Sequence, residues 1–590
     1  MEDQNNFLKA MVLSALVLLG YWYFFARPMT EAARAQAELE RTIAEEEAIA
    51  TPVAPTQAAT MPESLRIPIR TSAVEGSFQL RGSRFDDLKL LDYRATLEEG
   101  SPNVTLLVPE SGGGDYAAYV FDNWTLRDGG SGASAEWELV SGDELTPDSP
   151  VVIAHEGAGF RVERTITIDD RYLVTLSDTL TNTSGANLDL VRRGASRQHG
   201  LPEDLTNFFI LQEGPVAVVD RELFDMKYKK LRDDRRASRS GESGWAGLTD
   251  KYWLAAAIAP SDRTMEAEFD YSTINDAEVY EASYALDPLT LTPGATVESV
   301  GHIFAGAKER AVLESYADEY GIDRLDLAID WGLLGILVRP MSTALSWLGA
   351  SIGNYGVAIM VLTLIIKIVL FPLFNKQYAS MAKMKKVAPE LARMKEIYGD
   401  DRMKLQQEMM ALYKKEGVNP MAGCLPIIPT IFVFFALYKT VFINVDLRHE
   451  PFIGYIRDLS APDPLSVLNL FGLLPWDAVP LGILGFLAIG PLAILYGVTM
   501  AMMQTLQATG GDPMQRRIFA LMPWVFMFIL APFATGLLVY WVWNNVLSFL
   551  QQYVITRKFK VDTPIDRFFR RITGRDKALP DGVEIIEPGE

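Results

Sequence analysis

One lysine stands where lysine is costly. Lys367 lies inside Thr363-Leu364-Ile365-Ile366-Lys367-Ile368-Val369-Leu370-Phe371, a run with no other charge. The apolar stretch ends near Phe374, about seven residues on, which puts Lys367 some 10 Å deep if the segment is a membrane helix. An ammonium at that depth has two outlets. Its alkyl stem can snorkel to the headgroups, or it can face a water-filled cavity. Thr363 shares the run, while Gln504 and Asn545 interrupt apolar stretches further on. Each alone reads as glue between helices. Together with Lys367 they can line one hydrophilic recess, whose chemistry would be attraction and hydration, with no bond made or broken.

Residues for covalent chemistry are not arranged to do it. The four histidines, His155, His199, His302 and His449, are scattered and show no metal-ligand spacing. No GxxxxGK phosphate loop is present, and Gly241-Glu242-Ser243-Gly244 fails as a nucleophile elbow because Trp245 occupies the closing glycine position. No catalytic residue, metal or cofactor is expected, and the chain reads as a non-enzyme.

The elements that must position these residues are mostly hydrophobic. Residues 7–25 form a stretch apolar except for Lys9 and ending in Tyr21-Trp22-Tyr23-Phe24-Phe25, an interfacial aromatic cluster where a cleavable leader would carry small residues. This is read as an uncleaved anchor. Five further runs follow late in the chain, at 355–374, 424–443, 481–503, 518–534 and 537–555. The last two are separated only by Thr535 and Gly536 and predict a tight helical hairpin. Six spans are therefore expected. Residues 331–348, interrupted by Arg339-Pro340, suit an amphipathic helix in the interface better than a seventh span.

Charge orients the whole. Lys376, Lys383, Lys385, Lys386, Arg393, Lys395, Arg402, Lys404, Lys414 and Lys415 fill the loop after the second span, whereas the loop 444–480 is rich in Asp and Glu. The excess of basic residues marks the cytoplasmic side. The chain is thus expected to cross the membrane with both termini and the 375–420 loop in the cytoplasm. Within that loop, 377–398 and 402–415 are helical in pattern, with Gly399-Asp400-Asp401 as stop and restart. Met381, Met384, Met409 and Met410 recur along this hairpin. They serve either to pack its two helices or as a soft surface for varied apolar partners, and both uses can coexist.

Between the anchor and the later runs the pattern changes. Residues 29–50 are rich in Ala and Glu, and Thr51-Pro52-Val53-Ala54-Pro55 reads as a flexible linker. From about 65 to 305 the sequence alternates with period two, as in Phe160-Arg161-Val162-Glu163-Arg164-Thr165-Ile166-Thr167-Ile168. Many short strands with Gly- and Asp-rich turns predict one large antiparallel sandwich, on the outer side of the membrane. Of the 590 residues only Cys424 is a cysteine, so that domain must hold by core burial without an internal disulfide. A net charge of -20 argues against nucleic acid as a partner.

Several stretches resemble one family over nearly the whole chain, the YidC-type membrane protein insertases of Gram-negative bacteria (the YidC/Oxa/Alb family). They include Tyr378-Ala379-Ser380-Met381-Ala382-Lys383-Met384, Gln407-Glu408-Met409-Met410-Ala411-Leu412-Tyr413 and Val418-Asn419-Pro420-Met421-Ala422-Gly423-Cys424. Asp512-Pro513-Met514-Gln515 and Gly536-Leu537-Leu538-Val539-Tyr540-Trp541 continue the match. The resemblance implies a multi-domain protein of the inner membrane: a six-helix membrane part, five helices of which form an insertase core, and a large periplasmic all-β supersandwich. The divisions it implies are an anchor at 1–26, a linker at 27–62, the supersandwich at 63–310 and connecting and interfacial helices at 311–349. The core at 350–556 carries the hairpin 375–420, and a cytoplasmic tail occupies 557–590. It implies a groove open to cytoplasm and lipid, lined by Lys367, Thr363, Gln504, Trp541 and Asn545. Lys367 stands where the family usually has arginine, and Trp541 where it has tyrosine. Implied partners are nascent membrane proteins, the ribosome and targeting machinery, the Sec translocon and membrane lipids. An ion- or solute-coupled transporter is the rival class, although no inverted repeat is visible.

Overall fold

The computed structural model describes residues 65–110, 116–130, 132–202, 205, 211–274, 277–399, 401–417, 427–474, 488–506 and 513–559, with Thr563, Asp566 and Ile572. The anchor and linker expected in 1–62, Asp400 of the hairpin turn and most of the tail lie outside these residues. The chain divides into two compact units between Asp330 and Trp331.

The first unit is the antiparallel sandwich that the alternation predicts. Its strands form two sheets, one of ten strands and one of nine among the described residues. Phe160–Ile168 shows how the sequence encodes it: Phe160, Val162, Arg164, Ile166 and Ile168 point inward, and the residues between them face outward or sit half-buried. Leu173–Asn182 pairs with it and turns Val174, Leu176, Asp178 and Leu180 inward. Both strands therefore place a charge in the core. From the opposing sheet, Ala117–Leu126 contributes Asp122 and Leu188–His199 contributes Arg192.

The four charges meet between the sheets, all fully buried. Arg164 Nε donates to Asp178 Oδ1 at 2.6 Å, and Arg192 Nε to Asp122 Oδ1 at 2.8 Å. Trp124 Nε1 donates to Asp178 Oδ2 at 2.9 Å, and the Tyr284 hydroxyl donates to Asp122. Charges in a dry core persist only when paired and hydrogen-bonded in this way. Gly301 leaves room for the quartet, since a Cβ there would lie 2.6 Å from Arg192 Nη2. Two short helices, α1 (Tyr228–Asp234) and α2 (Arg310–Glu319), also belong to this unit.

The second unit is helical. Its elements are α3 (Gly335–Ile352), α4 (Tyr355–Val369), α5 (Phe371–Tyr398), α6 (Arg402–Lys415), α7 (Ile427–Ile443), α8 (Pro491–Thr505), α9 (Pro513–Leu530) and α10 (Thr535–Lys558). Among the described residues, no single helix is both long and apolar enough to cross a membrane alone. The pair α4 and α5 passes together, bent by 70°, while Pro429–Ile443 and Arg517–Leu530 are shorter apolar helices.

Prolines account for three departures from the expected runs. The 355–374 stretch is not one helix, because Pro372 in the first turn of α5 has no N–H for the carbonyl four residues back and the axis turns at Leu370. The described helix of the 481–503 stretch starts only at Pro491, which suits the first helical position. The break between the last two helices lies at 531–534, beside Pro532, and not at Gly536. Gly536 is already inside α10, where its N–H donates to Leu459 O at 2.8 Å and a Cβ would lie 2.9 Å from that oxygen.

The second hairpin helix, Arg402–Lys415, and the end of the first at Tyr398 fall where expected, but the first begins at Phe371 and not at 377. Asp401 caps α6 by accepting from Lys404 N at 3.0 Å. Val387 and Leu391 of α5 pack with Leu412 of α6, and Met384, Met394, Met409 and Tyr413 surround them.

Candidate functional site

On α4 an i, i+4 spacing puts Thr363 and Lys367 on one face. The opposite face, with Leu364, Ile365, Ile368 and Val369, is exposed and apolar. Thr363 is only 2% exposed, and its hydroxyl bonds back to Ile359 O at 2.7 Å. Lys367 reaches across to α10. Its Nζ donates to Ser548 Oγ at 2.5 Å and lies 4.5 Å from the centre of the Phe374 ring. The Ser548 hydroxyl itself donates a hydrogen bond to Asn544 O at 2.6 Å, and Tyr378 of α5 shares a side-chain hydrogen bond with Ser548. The ammonium is thus held by a hydroxyl and an aromatic face, with its remaining donors free of any carboxylate partner among the described residues.

Helix α10 carries more polarity along that face than the sequence reading picked out. Asn545, Ser548, Gln552 and Thr556 recur every three or four residues, hence as one stripe. Asn545 Nδ2 donates to Thr499 Oγ1 on α8 at 3.3 Å, and Gln552 Nε2 to Leu506 O at 3.1 Å. Trp541 closes the stripe at its other end. It is 4% exposed, stacks on Phe434 with ring centres 5.4 Å apart, and meets Tyr496 and Phe533. Its Nε1 has no hydrogen-bond partner among the described residues.

The expected residues therefore fall into separate contacts. Lys367 joins Ser548, Asn545 joins Thr499, and Trp541 sits in an aromatic cluster on the same helix face. Gln504 is half-buried in the last turn of α8 and is not hydrogen-bonded to Lys367. Ser548, Gln552 and Tyr378 were not singled out as site residues. For Ser548 and Gln552 the signal was the three-and-four spacing of polar residues on α10, whereas Tyr378 sits on the charged helix α5 and carried no such signal.

In the hairpin the methionines divide by role. Met384 and Met409 pack between its helices, and Met381 packs at the root with Phe374, Tyr378 and Ile555. Met410 is 61% exposed, and Met403 is exposed beside it. Among the described residues no group of His, Cys, Asp or Glu is placed to hold a metal. An ammonium on a polar stripe, flanked by apolar helix faces, can attract an anionic group and hydrate a polar one.

Two family models match most of the chain. The one described as 60Kd inner membrane protein matches residues 347–562, and the one described as YidC periplasmic domain matches residues 66–344. A protein of Maricaulis maris named membrane protein insertase YidC is 44% identical over 591 residues, covering 98% of this chain and 99% of its own length. Another of that name from a Jannaschia species is 42% identical, covering 95% and 97%. A crystal structure of an active YidC insertase aligns over 84% of this chain at 16% identity with a TM-score of 0.34, too loose to add to the sequence match.

Proposed function

The chain belongs to the family of YidC membrane protein insertases, and we propose that it works by drawing the polar end of a client segment onto the α10 stripe at Lys367. It is an insertase of the inner membrane, and the relatives named above lend nothing to the transporter alternative. The observation that carries the mechanism is the Lys367 Nζ contact to Ser548 Oγ, which fixes a cation beside a ladder of amides and hydroxyls.

In this reading the chain spans the membrane six times, with the 375–420 hairpin and both termini cytoplasmic and the β unit periplasmic. The support is the clustering of Lys and Arg in the hairpin loop against the acidic 444–480 loop. A nascent membrane protein offers its polar tail to Lys367, Thr363, Gln504, Asn545 and Trp541, where water and the ammonium reduce the cost of entry. Its apolar segment then passes into lipid along exposed helix faces, driven by burial of apolar surface. No nucleotide is needed. With the inside negative, the membrane potential favours outward movement of an acidic tail by about 2.3 kcal/mol per charge per 100 mV. The exposed Met403 and Met410, with the basic loop, suit transient contact with clients, the ribosome and targeting machinery.

The test is a client series with zero, one and two acidic residues in the translocated tail. Lys367→Arg should insert all three, since point-charge attraction tolerates either head group. Lys367→Ala should slow insertion by about fivefold per tail carboxylate if each contact contributes about 1 kcal/mol, and Lys367→Glu should slow it more. Snorkelling makes the opposite forecast. If Lys367→Ala inserts the whole series at wild-type rates, the charge has no part in the mechanism.

A further inference from the structure

The β unit holds an open cleft of about 650 Å³ on which the insertion mechanism makes no demand. Its size falls within the ~300–1,000 Å³ usual for small-molecule sites. Arg84, Glu110, Tyr119, His155, Arg197 and His199 converge on it. Several glycines, among them Gly130 and Gly157, form its rim, so a ligand can approach the backbone closely.

The charges of the wall are already spent on one another. Arg84 Nη1 donates to Glu110 Oε2 at 2.9 Å, and its guanidinium lies 4.3 Å from the centre of the Tyr119 ring. Arg197 is bound to Glu281 at 2.5 Å, and its Nη1 reaches the Tyr119 hydroxyl at 3.5 Å. An incoming anion would have to break these pairs, and a cation would meet the two guanidiniums. What remains on offer is hydrogen bonding. Glu110 still has acceptor capacity, and both guanidiniums have further N–H groups. The Tyr119 hydroxyl lies 3.4 Å from His199 Nε2, and burial pushes the phenol up, so it stays protonated.

His155 is held in one tautomer. Its Nδ1 lies 2.7 Å from Glu136 O, a carbonyl that can only accept, so Nδ1 carries a proton and Nε2 is the ring nitrogen left for a ligand. The ring is braced by Trp137 at 5.4 Å and Phe160 at 5.8 Å between centres. Phe160 lines the cleft too and adds an apolar face beside these polar groups. Donors and acceptors set side by side, with no net charge, match adjacent hydroxyls on a ring whose C–H face packs on an aromatic. We propose that this cleft binds the ring of a neutral sugar.

The experiment uses the full-length protein in lipid nanodiscs. Glucose, galactose and N-acetylglucosamine are titrated by calorimetry and saturation-transfer NMR, beside glucose 6-phosphate and glucuronate as charged counterparts. The expected result is saturable binding of at least one neutral sugar, with its charged counterpart at least tenfold weaker. In the wild-type protein the imidazole resonances of His155 and His199 should shift with the same dissociation constant. Glu110→Gln and Tyr119→Phe should each weaken binding at least fivefold with thermal unfolding unchanged. The proposal is overturned if no neutral sugar saturates up to about 100 mM, beyond the range of specific sites. It is equally overturned if the charged counterparts bind as well as the neutral sugars, or if the histidine resonances stay still while sugar binds.

Discussion

At the scale of residues, the protein uses charge in two opposite ways. In the β unit Asp122, Arg164, Asp178 and Arg192 are sealed from water and paired with each other, with Trp124, Tyr284 and Ser299 adding hydrogen bonds and Arg192 Nη2 held by charge alone at 3.6 Å from Asp178. Burial alone would raise the Asp178 carboxyl, yet Arg164 and Arg192, with hydrogen bonds from Arg164 and Trp124, hold it below the usual carboxylate range. A depressed folded pKa contributes stability that is present above the unfolded value of about 3.9 and is lost as pH falls through the folded one. Asp178→Asn leaves two buried guanidiniums short of a counter-charge and should cost about 3–5 kcal/mol. The check is urea unfolding of the full chain followed by tryptophan fluorescence, with Trp124 as a reporter bonded to that carboxylate. An unshifted midpoint, or a variant that keeps the acid-side loss of stability, would contradict the account. Lys367 was legible in the sequence because one charge interrupts an apolar run. Arg164 was equally visible within the 160–168 alternation but was not singled out, since alternation tells which face a residue occupies and nothing of the partners on other strands. Ser548 was silent, because a serine in an apolar helix gains meaning only once α10 is set against α4.

At the scale of elements, hydropathy located the helices and proline set their ends. The apolar runs at 355–374 and 518–534 carry Pro372 and Pro532, and the chain turns at both. Averaging over a window of hydropathy hides this, because proline acts through its missing N–H and its ring and not through polarity. The turn and second helix of the hairpin were readable, since Gly399 and the Asp401 cap punctuate it and its apolar positions follow the helical period, whereas the start of its first helix at Phe371 was hidden inside the apolar run. Its thioethers serve both packing and exposure, with Met384 and Met409 inside and Met410 outside. Shortening the 383–415 segment while leaving the spans intact should abolish insertion, measured by protease protection of a client in membrane vesicles. A shortened variant that inserts at the wild-type rate would remove the hairpin from the mechanism.

At the scale of the whole molecule, a sandwich stabilised by a dry core is joined in one chain to a helical unit whose apolar faces lie open. Leu364, Ile365, Ile368 and Val369 of α4 and Leu521, Trp524 and Val525 of α9 are exposed, which in water would be a liability and in lipid is a solvent match. Composition and alternation separated the two units in the sequence. The polar stripe was only half visible, since Asn545 was noticed and its neighbours Ser548 and Gln552 were not placed with it. The central claim is that this chain, without nucleotide, moves protein segments and not small solutes. Purified protein reconstituted in liposomes, offered a short membrane protein on one side and an entrapped fluorescent solute and ion gradient on the other, tests it most directly. The account predicts that the client becomes membrane-integrated in proportion to the reconstituted protein while the gradient and the solute stay put. Coupled movement of the ion or solute with no client integrated would contradict it.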